Sequence, residues 1–255
     1  MIFDTHAHYD DSVFDGDREE LLLGMAENGI GRIVNIGADM KTSAATVALT
    51  ERYSFVYGAV GVHPSETDSL TEHDMEQLKN DAAHAKIVAI GEIGLDYHYP
   101  DTNRELQQHW FVRQLALAEE VSLPVVIHSR DAANDTMRIM KEYGGENGGV
   151  IHCFSYSKEL ALQYVDMGFY IGVGGVITFS NAKKLVEAVK AVPLEKIVLE
   201  TDAPYLSPAP ERGMRNHSGK LPLVVKRLAE IKGVTEEEMI RVTEENACRL
   251  YRIET

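Results

Sequence analysis

Eight short apolar, β-branched runs recur along the chain, and an amphipathic stretch long enough for a helix follows each one. The runs lie at 2–6, 32–37, 55–62, 87–92, 124–128, 149–152, 170–173 and 197–201. Their C-terminal ends are 21 to 36 residues apart, enough for one strand and one crossover helix. Such repetition predicts alternating β and α units around a parallel sheet. The chain has 255 residues, close to the roughly 250 of a (β/α)8 TIM barrel. An open doubly wound sheet also alternates β with α, but no G-x-G-x-x-G follows the first run. The barrel is the preferred α/β architecture. No Pro/Ser-rich linker or long charge run divides the chain, and GGENGG at 144–149 reads as a loop. The expectation is a single TIM-barrel domain over 1–255.

Local signals agree with the helices. Leu106, Trp110, Phe111, Leu115 and Ala118 share one face at a 3.6-residue period. Thr71 with Asp74 and Thr235 with Glu238 have capping-box spacing, and Gly29 and Gly168 suit helix C-termini. The two cysteines, Cys153 and Cys248, have no C-x-x-C spacing, which excludes a disulfide scaffold or a cysteine-based zinc finger. Alternation turns Cys153 away from its neighbour His152 and predicts a buried hydrophobe. The N-terminus carries no signal-peptide pattern and no apolar run reaches membrane-spanning length. The expected location is cytoplasmic.

Ionisable residues recur at one place in the repeat, directly after the apolar run. FDTHAH ends the first run with His6 and His8, AIGE the fourth with Glu92, and VVIH the fifth with His128. VIH ends the sixth with His152, and LETD the eighth with Asp202. Two residues apart on extended backbone, His6 and His8 point to the same side. In a barrel all these ends meet at the C-terminal mouth. A lone H-x-H or a lone buried carboxylate carries little weight. Five of eight run ends with the same kind of side chain carry much more. Imidazole and carboxylate are ligands of zinc, manganese and related ions. Six such groups exceed the need of one tetrahedral ion, so two divalent ions (Zn, Mn or Mg) sharing a bridging carboxylate are expected.

At these residues the chain resembles the TatD family of metal-dependent deoxyribonucleases, in the amidohydrolase superfamily. The matching motifs are FDTHAH at 3–8, GVHP at 61–64, AIGEIGLDY at 89–97, PVVIHSR at 124–130, IHCFS at 151–155 and ETDAPYL at 200–206. They span nearly the whole chain. The resemblance implies one ion on His6, His8 and Asp202, a second on His128 and His152, Glu92 as bridge, and His63 near a substrate phosphate. On spacing alone, His63 reads equally well as a turn residue before Pro64. One departure stands out: where the family commonly reads Arg-Gly-x-Arg-Asn-Glu-Pro, this chain continues Asn216-His217-Ser218.

The implied chemistry is metal-assisted phosphodiester hydrolysis, with Glu92 and Asp202 as catalytic residues and Asp202 as general base. Arg130, Arg212 and Arg215 lie on loops after the runs and are candidate phosphate grips, because a guanidinium can donate two parallel hydrogen bonds. Gly172, Gly174 and Gly175 fit either phosphate binding or close packing. Tyr97, Tyr99, Phe154 and Tyr205 are candidates for stacking on bases. Lys and Arg total 25 against 40 Asp and Glu, a formal charge of −15. That sign opposes non-specific adhesion to nucleic acid or an anionic membrane. The expected substrate is therefore a single-stranded or short DNA oligonucleotide, with no membrane and no obligate protein partner. The alternative is an amidohydrolase-type enzyme acting on a small-molecule amide, lactone or ester. A non-catalytic metal-binding barrel is a second alternative. No G-x-S-x-G elbow or H-E-x-x-H helix offers a rival site.

Overall fold

The computed structural model describes residues 1–254. Its strands are β1 (Ile2–Ala7), β2 (Ile30–Ile36), β3 (Val56–Val60), β4 (Ile87–Asp96), β5 (Val125–Arg130), β6 (Gly149–Ile151), β7 (Tyr170–Val173) and β8 (Ile197–Leu199). The α-helices are α1 (Arg18–Leu23), α2 (Met40–Arg52), α3 (Glu72–Ala82), α4 (Arg104–Val121), α5 (Ala133–Tyr143), α6 (Lys158–Asp166), α7 (Lys183–Ala191), α8 (Leu221–Lys232) and α9 (Glu236–Tyr251). The strands form one sheet in sequence order, β1 to β8. Pairs β1–β2, β3–β4, β4–β5, β5–β6 and β7–β8 are parallel. Eight parallel strands in sequence order, with helices between them, make the fold a (β/α)8 barrel.

Contacts group the residues into two compact units, 1–35 with 153–255, and 36–152. In the first, α9 is the main support. Thr235 caps it by accepting from Glu238 N, and Glu236, Glu237 and Glu238 occupy its first turn, where the helix dipole favours acid. Met239, Val242, Thr243, Asn246, Ala247, Leu250 and Tyr251 are its buried face, at the 3–4–7–8 spacing of one helical stripe. Asn246 Nδ2 donates to Leu194 O and Ile197 O at 2.8 and 2.7 Å, and Tyr251 donates its hydroxyl to Thr5 O at 3.0 Å. Those bonds fix the helix against the strands that carry the site.

In the second unit α4 plays the same part. Asn103 caps it, and Gln107, Trp110, Phe111, Gln114, Leu115 and Ala118 lie on its buried side. Its two buried glutamines are clasps. Gln114 accepts from Val62 N at 2.8 Å and donates to Val62 O at 3.0 Å. Gln107 accepts from Asp96 N at 2.9 Å. A buried backbone group left unpaired costs about 1–3 kcal/mol, so these side chains hold the ends of two strands as well as filling space.

Thr71 and Asp74 form the predicted reciprocal capping box, and Gly29 takes a left-handed C-cap at φ 79°. Strand ends depart from the sequence reading in two directions. β4 continues past Glu92 to Asp96, whereas β6 and β8 stop at Ile151 and Leu199, short of His152 and Asp202.

Candidate metal centre

In the first unit, backbone bonds between β1 and the segment after β8 fix three of the expected ligands. Asp202 N donates to His6 O at 2.9 Å, and His8 N donates to Ala203 O at 2.7 Å. Asp202 sits at φ 57°, a left-handed conformation that costs a non-glycine residue about 1 kcal/mol or more. The Asp202 carbonyl accepts from Tyr205 N at 2.7 Å, which helps to hold that turn. The result is a tight triangle of donor atoms. His6 Nε2 and His8 Nε2 are 3.1 Å apart, and Asp202 Oδ1 lies 3.7 and 3.5 Å from them. Ligand bonds of about 2.1 Å in tetrahedral array put donors about 3.4 Å apart. The triangle therefore fits a single divalent ion.

Asp4 sets this triangle from behind. It is fully buried and accepts from His6 N, Thr201 N, Thr201 Oγ1 and Ser218 Oγ at 3.3, 3.0, 2.6 and 2.6 Å. Burial pushes its carboxyl up to about 7, against the downward pull of those bonds. The sequence reading missed Asp4, although it shares strand parity with His6 and His8.

In the second unit Glu92 is the hub. Its Oε1 lies 2.7 Å from His128 Nδ1, 3.7 Å from His152 Nε2 and 3.9 Å from His63 Nε2. His63, Glu92 and His128 offer ligand atoms all within 4.8 Å of one another. A second carboxylate, Asp96, approaches His128 Nε2 at 3.3 Å. Burial lowers the His128 pKa, but hydrogen bonds to Asp96 and Glu92 outweigh it and the net shift is upward. The sequence pattern does not single out Asp96 either: residues 92 and 96 share a strand face, but the apolar run ends at Glu92. β4 reaches Asp96 through a register break between Ile90 and Ile93 in its pairing with β5. Gly94, at φ 141°, lets it pass, since a Cβ there would lie 2.0 Å from His128 O.

His63 takes the turn position before Pro64 that its spacing allowed. Its Nδ1 accepts from Ser65 N at 3.1 Å and starts the 3-10 turn Pro64–Ser69. A backbone N–H can only donate, so the neutral ring carries its proton on Nε2, the atom that faces Glu92.

The arginines differ. Arg130 ends β5 and is exposed. Arg212 is exposed with its guanidinium 4.4 Å from the centroid of the Phe179 ring. Arg215 donates to both carboxylate oxygens of Asp17 and to Val13 O. Of the aromatic candidates, Tyr99 and Tyr205 are 61% and 55% exposed, whereas Tyr97 and Phe154 are buried and act in packing. Cys153 is half-buried at φ 45°, because the strand has already ended and alternation no longer applies. The glycines in and after β7 have a packing cause: a Cβ on Gly172 would lie 2.3 Å from Glu200 Oε2, and one on Gly175 2.1 Å from Leu206 O.

Residues 3–252 match the family described as TatD related DNase. The chain belongs to this family. Among its TatD relatives, the metal-dependent hydrolase YabD of Bacillus subtilis is 44% identical over 254 residues, 99% of this chain and 100% of that one. A protein of Cronobacter sakazakii named 3'-5' ssDNA/RNA exonuclease TatD is 31% identical, covering 98% of this chain and 97% of its own. The crystal structure of the Escherichia coli TatD homologue YjjV superposes with a TM-score of 0.95 at 34% identity, over 99% of this chain and 98% of that one.

Proposed function

We propose that this TatD-family chain is a metal-dependent phosphodiesterase that removes nucleotides from single-stranded or short DNA. The observation that carries the reading is the triangle of His6 Nε2, His8 Nε2 and Asp202 Oδ1, with sides of 3.1, 3.7 and 3.5 Å. One divalent ion is assigned to that triangle and a second to Glu92, His128 and His152. The name of the Cronobacter relative supports a nucleic-acid substrate. Zinc, manganese and magnesium are the candidate ions, with imidazole favouring the first two.

Divalent ions, when bound, supply positive charge for phosphoryl oxygens and make water more acidic. The protein supplies the rest. Asp202, 18% exposed at its side chain, accepts the proton of the attacking water as general base. His63 donates its Nε2 proton in a hydrogen bond to a non-bridging oxygen, where charge develops. Arg130 at the end of β5 and Arg212 beyond β8, both exposed, hold neighbouring phosphates.

Chelated protein, re-supplied with each ion in turn, is tested on labelled single-stranded DNA, duplex DNA, RNA and a simple carboxylic ester. Phosphodiester cleavage is expected to return only with an ion, and faster on single strands than on duplex. Ester hydrolysis that outruns DNA cleavage moves the reading to a small-molecule hydrolase. Asp202→Ala should lower kcat about a hundred- to ten-thousandfold, and Glu92→Ala should abolish turnover. Unchanged turnover in both variants defeats the assignment.

A further inference from the structure

The residues His217-Ser218, which depart from the pattern common in the family, fall beside the proposed His6–His8–Asp202 site, and the function above leaves them unused. We infer that Ser218 is a positioning residue: it locks together the backbone segments that carry His6, His8 and Asp202, and so sets the affinity of that donor triangle for a divalent ion. This rests on the metal-centre reading above. The argument starts from hydrogen-bond direction. Ser218 N donates to the Tyr9 hydroxyl at 2.8 Å. Ser218 Oγ lies 2.6 Å from Asp4 Oδ2 and 2.8 Å from the same Tyr9 hydroxyl. Ser218 spends its single hydroxyl proton on Asp4 Oδ2. Tyr9 must then donate to Ser218 Oγ. The chain of donors runs one way, from Tyr9 to Ser218 to Asp4.

Each member of that chain is next to a proposed ligand. Tyr9 follows His8 directly. Asp4 accepts from His6 N at 3.3 Å. Thr201, which precedes Asp202, gives Asp4 both its N–H and its hydroxyl. Asn216, two residues before Ser218, donates from Nδ2 to Thr201 O at 2.9 Å, and its own N–H bonds to Pro204 O at 2.9 Å. Asp4, Tyr9, Thr201, Asn216 and Ser218 are all at most 2% exposed. Water therefore does not compete for these bonds, and a lost donor is not readily replaced. Residues standing behind metal ligands commonly govern affinity in this way. Proline at position 218 could supply neither the hydroxyl nor the N–H. Serine uses both.

The test is zinc titration of chelated protein against a chromophoric competitor, beside thermal unfolding of the same chelated samples. Ser218→Ala should weaken by about 10- to 100-fold the zinc ion that His6→Ala/His8→Ala also loses. The zinc ion that His128→Ala loses should keep its affinity. Ser218→Thr, which keeps the hydroxyl, should restore tight binding. A lowered unfolding midpoint with unchanged zinc affinity would show a merely structural residue and overturn the inference. If Ser218→Ala does not fold, Tyr9→Phe breaks the same chain one step earlier and is read by the same criteria. If zinc uptake by the wild type is untouched by His6→Ala/His8→Ala, the metal-centre reading fails and this inference with it. If those histidines matter and Ser218 does not, only the inference fails.

Discussion

Arg215 and Asp17 show how one guanidinium can be recruited for structure. Two parallel bonds to the Asp17 carboxylate and a third to Val13 O tie the loop after β8 to the start of α1. The Arg215 guanidinium also lies 4.8 Å from the centroid of the Phe14 ring. The hydrogen bond from Arg215 holds the Asp17 carboxyl below its ordinary value. A depressed carboxylate contributes stability above its unfolded pKa and loses it as pH falls through the folded one. Arg215→Ala should therefore be less stable than wild type at neutral pH, and the gap should close on acidification through the carboxylate range. Urea unfolding midpoints across pH check this; a gap that stays constant means that the pair contributes nothing. Arg130 is exposed and should behave differently. The contrast could not be drawn from sequence, because all three arginines occupy the same kind of loop position there.

At the scale of the element, β4 is where local geometry and chemistry are most closely tied. Its path to Asp96 needs Gly94, and Ala there adds a Cβ 2.0 Å from His128 O at a φ of 141°. Overpacking and an unfavourable backbone conformation together put the cost at about 3 kcal/mol. The expected result for Gly94→Ala is that fall in unfolding free energy, with loss of ion uptake at Glu92 and His128 in the folded fraction. Wild-type uptake would show that β4 adapts. The same strand marks the limit of what sequence patterning reveals. Apolar runs located all eight strands, and the ionisable residue after five of them makes His6, Glu92, His128, His152 and Asp202 the candidates. Glycine weakens a strand pattern, so the apolar run ends at Glu92 and no local signal marks Asp96. Left-handed backbone at Cys153 and Asp202 has no sequence signal at non-glycine residues. Asp4, Tyr9 and Ser218 meet across more than 200 positions, a distance that no local pattern spans.

At the scale of the whole molecule, charge sets the terms of substrate capture. The chain carries −15 formally, and the two divalent ions proposed above would add four positive charges, leaving −11. Repulsion from a polyanion acts over about 8 Å at physiological ionic strength, whereas arginine–phosphate bonds act at contact. Added salt weakens both, with opposite effects on binding. Each phosphate neutralised on single-stranded nucleic acid contributes about 0.7 to the slope of log affinity against log salt. The two proposed grips, Arg130 and Arg212, would set an upper slope of about −1.4, and relief of repulsion would make it shallower. The measurement is oligonucleotide affinity for the chelated protein, which does not turn its substrate over, across a salt series. Arg130→Ala and Arg212→Ala, each made singly, should flatten the slope by about 0.7. A slope of about −4 would require more phosphate contacts than these two arginines can make, and would place the substrate on a different basic surface.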